Sequence, residues 1–228
     1  MKYFICVIAS ALFCISSSVH AHANYGKKFC SSAGYKCVTI KRGQSWESKF
    51  PNATQRNIVR KVNRINVPLK PGYVIAVPNN LSNLASHMDV APMPRKIGPN
   101  GRPTVKVNLT TLSWGAYDVH GNLLNWGPIS GGQNYCKDVN RGCRTITGDY
   151  TFYRKQGQHC KSSKYPRPNG GAPMPYCMHF KGGYAMHASA TVPGHHASHG
   201  CVRMFLEDAR WLNQNFVRTG KTKVEIRR

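Results

Sequence analysis

Two kinds of apolar period divide the chain. Residues 38 to 78 read VTIKRGQSWESKFPNATQRNIVRKVNRINVPLKPGYVIAVP. A β-branched run meets a turn at Arg42-Gly43, and a short helical stretch follows from about Trp46 to Phe50. A second helix is predicted from about Thr54 to Asn63, with Ile58, Val62 and Ile65 at helical spacing. Pro68 and Pro71-Gly72 stop it, and YVIAVP returns as a strand. The order β-α-α-β in about forty residues describes a small module with one thin core. Residues 80 to 102 hold Pro, Gly and Asn with little periodicity and read as a linker. From Thr104 the period shortens to two. VKVNLTTLSWGAYDVHGNLLNWGPIS alternates apolar and polar residues about a turn at His120-Gly121-Asn122, and similar strands return at ITGDYTFYRK and MHFKGGYAMHAS. Turn signals recur about every ten residues, which predicts a mainly β, sandwich-like domain over a parallel α/β sheet. FLEDARWLNQNFVRTG is helical, with Glu207 and Asp208 in an acidic first turn and Gly220 past its end, and KVEIRR closes as a strand.

The N-terminal 23 residues change the setting of that fold. Lys2 precedes an apolar run from Tyr3 to about Ile15, then a Ser-rich stretch and Ala21-His22-Ala23. This is the pattern of a secretory signal peptide, too short and poorly flanked for a transmembrane anchor. Export implies an oxidising compartment, a periplasm or cell wall, in which thiols pair. Cys6 and Cys14 fall in the leader, which leaves seven of the nine cysteines. Cys30 and Cys37, Cys136 and Cys143, and Cys160 and Cys177 form sequence-adjacent couples, although six cysteines permit fifteen pairings. Cys201 is left over.

Charge narrows the partners. Thirty-two Lys and Arg stand against eight Asp and Glu, a net charge of +24. Such a field draws polyanions. Nucleic acid is a poor candidate for an exported protein, and anionic wall polymer or lipopolysaccharide is a better one. Between Val90 and Leu206 the only carboxylates are Asp118, Asp138 and Asp149. Glycoside hydrolysis by two placed carboxylates is therefore poorly supplied.

The densest chemistry lies in AMHASATVPGHHASHGCVRM, residues 185 to 204. His195, His196, His199 and Cys201 are zinc-ligand types, but Pro193-Gly194 and Gly200 argue against a helix that would converge them. A buried structural thiol explains neither the odd cysteine nor the histidines around it. A nucleophile explains both, since an imidazole takes the thiol proton and nearby cations favour the thiolate. Gly200 lets backbone N–H groups crowd an oxyanion position, and Arg203 adds fixed charge for an anionic substrate group.

Two resemblances attach to these segments. Leu69 to Pro78 resembles the Leu-x-Pro-Gly-x-x-Ile-x-Val-Pro ending of a LysM domain, which implies that residues 30–79 bind N-acetylglucosamine-containing glycan such as peptidoglycan. SHGCVRM, with the upstream GGYAMHAS, TITGDYTF and PMPYCMHFKGG, is similar to the signature of the YkuD family of L,D-transpeptidases. That resemblance implies a catalytic domain over 103–228 acting on peptidoglycan stem peptides without a cofactor or metal. It implies Cys201 as nucleophile and His187 as general base and acid. Ser198, His199 and Gly200 fall to the site wall and oxyanion region, and Arg203 to substrate binding. The expected reaction is acylation of Cys201 by a tetrapeptide donor with loss of D-alanine, then transfer to an amine. Stem, lipoprotein, D-amino acid and water all remain open as acceptors, water making a carboxypeptidase or cross-link hydrolase. A non-catalytic cationic wall-binding protein is the reading from another class. The spacer from His187 to Ser198 is ten residues, shorter than the family's usual one, which leaves His195 or His196 as rival bases.

Overall fold

Strand β1 (Tyr35–Thr39) pairs antiparallel with β2 (Val74–Pro78), and between them lie helices α1 (Trp46–Lys49) and α2 (Ala53–Asn63). In this computed structural model residues 25–228 are described, so the expected leader at 1–23 lies outside the described residues. Ser45 caps α1 with a capping box and Asn52 caps α2 through Gln55 N–H, each supplying an acceptor to an otherwise orphaned donor. Trp46, Phe50, Val59, Ile65, Ile75 and Val77 bury into the core of this unit.

The rest of the chain folds around a nine-stranded sheet. Its strands are β3 (Thr104–Asn108), β4 (Ser113–Tyr117), β5 (Leu123–Ser130), β8 (Gly148–Thr151), β9 (Arg154–Lys155), β10 (Met178–Lys181), β11 (Tyr184–Ala188), β12 (Val202–Met204) and β13 (Lys223–Arg227). A separate hairpin, β6 (Tyr135–Cys136) with β7 (Arg141–Gly142), stands off it. The order is β8-β13-β3-β4-β5-β12-β11-β10-β9. The mainly β expectation holds, with one difference of form. Instead of two facing sheets there is one that curls on itself, because three-residue β12 carries the hydrogen bonding from β5 across to β11. Curling brings the ends together, so that Phe180 on β10 meets Tyr150 on β8 with ring centroids 5.4 Å apart. Val105, Trp114, Ile129, Met178, Met186, Val202 and Met204 share one enclosed core.

The predicted C-terminal helix is a short α3 (Leu206–Trp211) followed by a π turn, Leu212–Phe216. Asp208 is not a solvated first-turn acid. It is buried and its Oδ1 lies 2.6 Å from Lys61 Nζ on α2. Lys61 also donates to the Trp126 carbonyl at 3.1 Å, and Arg64 Nε to Thr111 O at 3.1 Å, so the N-terminal unit sits on the sheet through buried cations. The segment read as a linker is pinned along β5: Leu123 N–H donates to Arg95 O, Ile97 N–H to Gly121 O, and Met93 is buried. Among the described residues no helix is long and apolar enough to cross a membrane. The disulfides are Cys30–Cys37, Cys136–Cys143 and Cys160–Cys177, with Cys201 free, and they fit an extracytoplasmic protein.

Candidate active site

Strands β11 and β12 run parallel, with Met186 opposite Val202 and His187 opposite Arg203. Side chains alternate across a strand. Met186, Val202 and Met204 enter the core, so His187, Arg203 and Cys201, two residues before Arg203, turn to the other face. That face floors a cavity of about 870 Å³, which Ser198 and His199 also line. Sequence reasoning placed these residues together, and the strand register is the cause.

His187 is buried, and its Nδ1 lies 2.8 Å from Ala188 O. A carbonyl only accepts, so Nδ1 carries the hydrogen and Nε2 is left as the basic nitrogen. Burial pushes the His187 pKa down to about 4; Arg203 and His179 push the same way, and the Ala188 carbonyl opposes them. Cys201 packs against the cluster of Cys160, Met174, Cys177 and Ala185. Burial raises its thiol above the usual range, while backbone hydrogen bonding with Ala185 and the charge of Arg203 pull it back. The resting pair is therefore a neutral thiol and a neutral imidazole. Such a pair acts by proton transfer during attack, with no standing thiolate.

The Ser-His-Gly-Cys turn is held from both sides. Gly200 N–H donates to Ser198 Oγ at 3.0 Å, and Ser198 Oγ in turn donates to the Cys201 carbonyl. This corrects one expectation: the Gly200 N–H is occupied and is not free for an oxyanion. Thr145, which sequence reasoning missed, accepts from Gly132 N–H and donates to Gly200 O, both at 2.8 Å. In a planar trans peptide the carbonyl and the next N–H point opposite ways, so this bond also aims the Cys201 N–H. Gly200 has φ +130°, and a Cβ there would lie 2.8 Å from the Tyr184 ring. His199 belongs to the wall, with Nε2 2.8 Å from Asp138 Oδ2 and its ring 4.8 Å from Tyr165. It braces the β6–β7 hairpin against the turn and is not placed as an oxyanion donor.

Arg203 Nη1 donates to Thr191 Oγ1 at 3.1 Å, in the loop that joins His187 to the turn. The same loop is gripped from the N-terminal unit. Asn66 accepts from Val192 N–H and donates to Ser189 O through its side chain, both at 2.7 Å, and donates its own N–H to Val192 O at 3.0 Å. Nothing local in the sequence marked Asn66, since its partners lie more than a hundred residues away. His195 and His196, the rival bases, do not line the cavity. Nor do they converge with His199 and Cys201 as a ligand set: among the described residues the candidate metal group is Cys136, Asp138 and His199, and Cys136 is in a disulfide. Arg154 and His179 were also missed, and both line the cavity. A histidine between Met178 and Phe180 in an apolar strand was the available signal.

No curated protein matches the chain. A solved L,D-transpeptidase from Xylanimonas cellulosilytica is 22% identical, covers 77% of this chain and 81% of its own, and has a TM-score of 0.55. An L,D-transpeptidase from Stackebrandtia nassauensis is 20% identical over 59% of each chain, with a TM-score of 0.45. At such identities the first likeness speaks to fold alone. The model of the L,D-transpeptidase catalytic domain family matches residues 102–226, more than half of the chain. The chain belongs to the YkuD family of L,D-transpeptidase catalytic domains.

Proposed function

We propose that the protein transfers peptidoglycan stem peptides through an acyl-enzyme on Cys201. One observation carries the reading: His187 on β11, with Nε2 as its basic nitrogen, and Cys201, immediately before the parallel neighbour β12, line a single cavity. The donor is a tetrapeptide stem, bound so that the carbonyl before its terminal D-alanine meets the sulfur. His187 Nε2 takes the thiol proton as Sγ attacks that carbonyl. The oxyanion forms against the Cys201 N–H, which Thr145 aims through the Gly200 carbonyl. The imidazolium protonates the departing amine, the C–N bond breaks, and a thioester remains. An acceptor amine then gives a proton to His187 and takes the acyl group, restoring the thiol. Burial and Arg203 keep the imidazole neutral and ready for the first step.

The test is acylation by a carbapenem, whose ring opens on the thiol without a leaving group, followed by intact-protein mass spectrometry. Cys201→Ala removes the adduct entirely. His187→Ala slows its formation by about 10²–10⁴-fold, the worth of a positioned base. His195→Ala and His196→Ala leave the rate nearly unchanged. An adduct on Cys201→Ala refutes the nucleophile, and an unimpaired His187→Ala refutes the base. The β-α-α-β unit over 35–78 is assigned to glycan binding, on the order of its elements and its LysM-like ending. Saturable binding of N-acetylglucosamine oligomers by the full chain supports this; absence of binding makes the unit a brace for the sheet.

A further inference from the structure

The cations that line the cavity are of two chemical kinds. Arg141, Arg154, Arg167 and Arg203 stay protonated and offer no nucleophile, whereas Lys161 and Lys164 carry primary amines. None of the described lining residues is Asp or Glu, so no carboxylate of the wall sequesters either amine. Lysines that hold the fold are committed. Lys61 meets Asp208, Lys106 meets Glu225 at 2.9 Å, and Lys155 donates to Asn213 O and Val217 O at 2.7 and 2.9 Å. Lys161 is exposed, and its ammonium has no hydrogen-bond or ion-pair partner among the described residues.

The backbone of Lys161 is held close to the nucleophile. Lys161 pairs with Pro173 in an isolated bridge, flanked by Met174 N–H to Cys160 O and Ser162 N–H to Ala172 O, both at 2.9 Å. Cys160, in its disulfide with Cys177, and Met174 belong to the cluster against which Cys201 packs. Lys161 therefore follows directly on a residue of the thiol's own surroundings, at the anchored base of its loop, with its side chain in the wall of the same cavity. An acyl group on Cys201 meets this amine without diffusion. A group tethered at short range acts at an effective concentration of about millimolar or above, and an aligned one far higher.

We propose that Lys161 is an internal acyl acceptor: when external amines are scarce, the stem passes from Cys201 to Lys161 and the enzyme becomes linked to its own donor. The inference rests on the acyl-transfer reading of Cys201. The Lys161 ammonium releases one proton to solvent, and the free amine attacks the thioester carbonyl. A C–N bond forms and the C–S bond breaks, while a second amine proton passes through His187 Nε2 to the departing sulfur. The products are an amide on Nζ, a restored Cys201 thiol and one proton in solution. A stem still joined to its glycan thereby fixes the chain to the wall.

The experiment uses the full chain and a synthetic tetrapeptide stem, with no acceptor amine added. Intact-protein mass spectrometry follows the bound stem before and after neutral hydroxylamine, which cleaves a thioester and spares an amide. In the wild type a hydroxylamine-resistant fraction is expected to grow with time. Those chains carry the stem and yet have a Cys201 thiol that iodoacetamide labels, and peptide mapping places the stem on Lys161. Lys161→Arg keeps the charge and removes the acceptor. It is expected to form the labile acyl-enzyme at the wild-type rate and to lower the resistant fraction about tenfold or more. Cys201→Ala is expected to give neither product. A wild-type adduct that is wholly labile overturns the internal acceptor alone. So do a resistant adduct that maps to another residue or survives in Lys161→Arg, and a loss of the labile adduct in that variant. Absence of any adduct and of D-alanine release in the wild type overturns the acyl-transfer reading with it.

Discussion

The same residue types do opposite work at the seam and in the cavity. At the seam between the N-terminal unit and the sheet, Lys61 and Arg64 are stripped of water, and each is committed. Lys61 meets Asp208 and the Trp126 carbonyl; Arg64 meets the Thr111 carbonyl and stacks over the rings of Tyr25 and Trp126 at 4.8 and 5.1 Å. In the cavity, cations face an opening with no carboxylate in its described wall. Desolvating a charge costs several kcal/mol unless a partner is built in, so a buried cation implies a fixed architecture. A wetted cluster of one sign is held at lower cost and raises the local concentration of anions. Position decides whether a lysine or an arginine holds the fold together or recruits substrate.

The contrast is broken most strongly at the seam. Asp208→Ala leaves Lys61 buried without its carboxylate and is expected to lower stability by about 3–5 kcal/mol, read from urea midpoints. Replacing the pair together, Lys61→Met with Asp208→Leu, is expected to cost far less. If the single and the double variants lose the same amount, the seam does not depend on charge pairing. The seam also rules out deletion of residues 35–78 as a clean test of glycan binding, because it strands Asp208 and exposes the Trp126 face.

That polar seam was invisible in the sequence for a physical reason. Lys61 and Asp208 are 147 residues apart, and each satisfies a local rule on its own: a lysine in an amphipathic helix, an acid in a first turn. The short-period information was legible. Alternation gave the strands, helical spacing gave α2, and the cysteine couples matched the disulfides. Cys201 and His187 were legible because motif and strand parity agree. Thr145, Asn66, Arg154 and His179 were not, since a polar residue declares its partner only after the chain has folded.

Next in size is the grip of the seam on the site. Asn66→Ala removes two side-chain hydrogen bonds to the loop that carries Thr191, and so loosens Arg203. Donor acylation is expected to fall about tenfold, the equivalent of about 1.4 kcal/mol, while the urea midpoint moves little. Asn66→Asp, which keeps the acceptor for Val192 N–H, is expected to recover part of the rate. A loss of stability with no selective loss of acylation makes Asn66 a brace only.

Salt separates the two populations of cations directly. Between low and physiological ionic strength, kcat/KM for an acidic donor is expected to drop a few-fold, since the Debye length shrinks to about 8 Å. The urea midpoint should change less, because the Lys61–Asp208 pair is buried. Equal sensitivity of the two erases the distinction.

The smallest expected change is with pH. The Arg203 charge assists burial in lowering the His187 pKa to about 4, so the base form persists well below neutrality. Lowering an imidazole's pKa moves the acid limb of the profile down. At pH 5.5 an ordinary histidine is roughly 90% protonated, whereas one near 4 is only about 3% protonated. Acylation by a donor that does not titrate in this range should fall less than about twofold from pH 7.5 to 5.5. A tenfold fall returns His187 to an ordinary environment.

Parallel pairing of the strand that bears the base with the strand that directly follows the nucleophile has an evolutionary corollary. Two parallel neighbours cannot be joined by a tight turn; the chain must cross over, which takes about a dozen residues. From Ala188 at the end of β11 to Val202 at the start of β12 there are thirteen intervening residues. The crossover is near its minimum length, which gives the short spacer between the two chemical residues a geometric floor. Variation by length is thereby one-directional. Descendants of this sequence can lengthen the crossover where Pro193 and Gly194 turn against the N-terminal unit, but shortening it would pull His187 and Cys201 out of register.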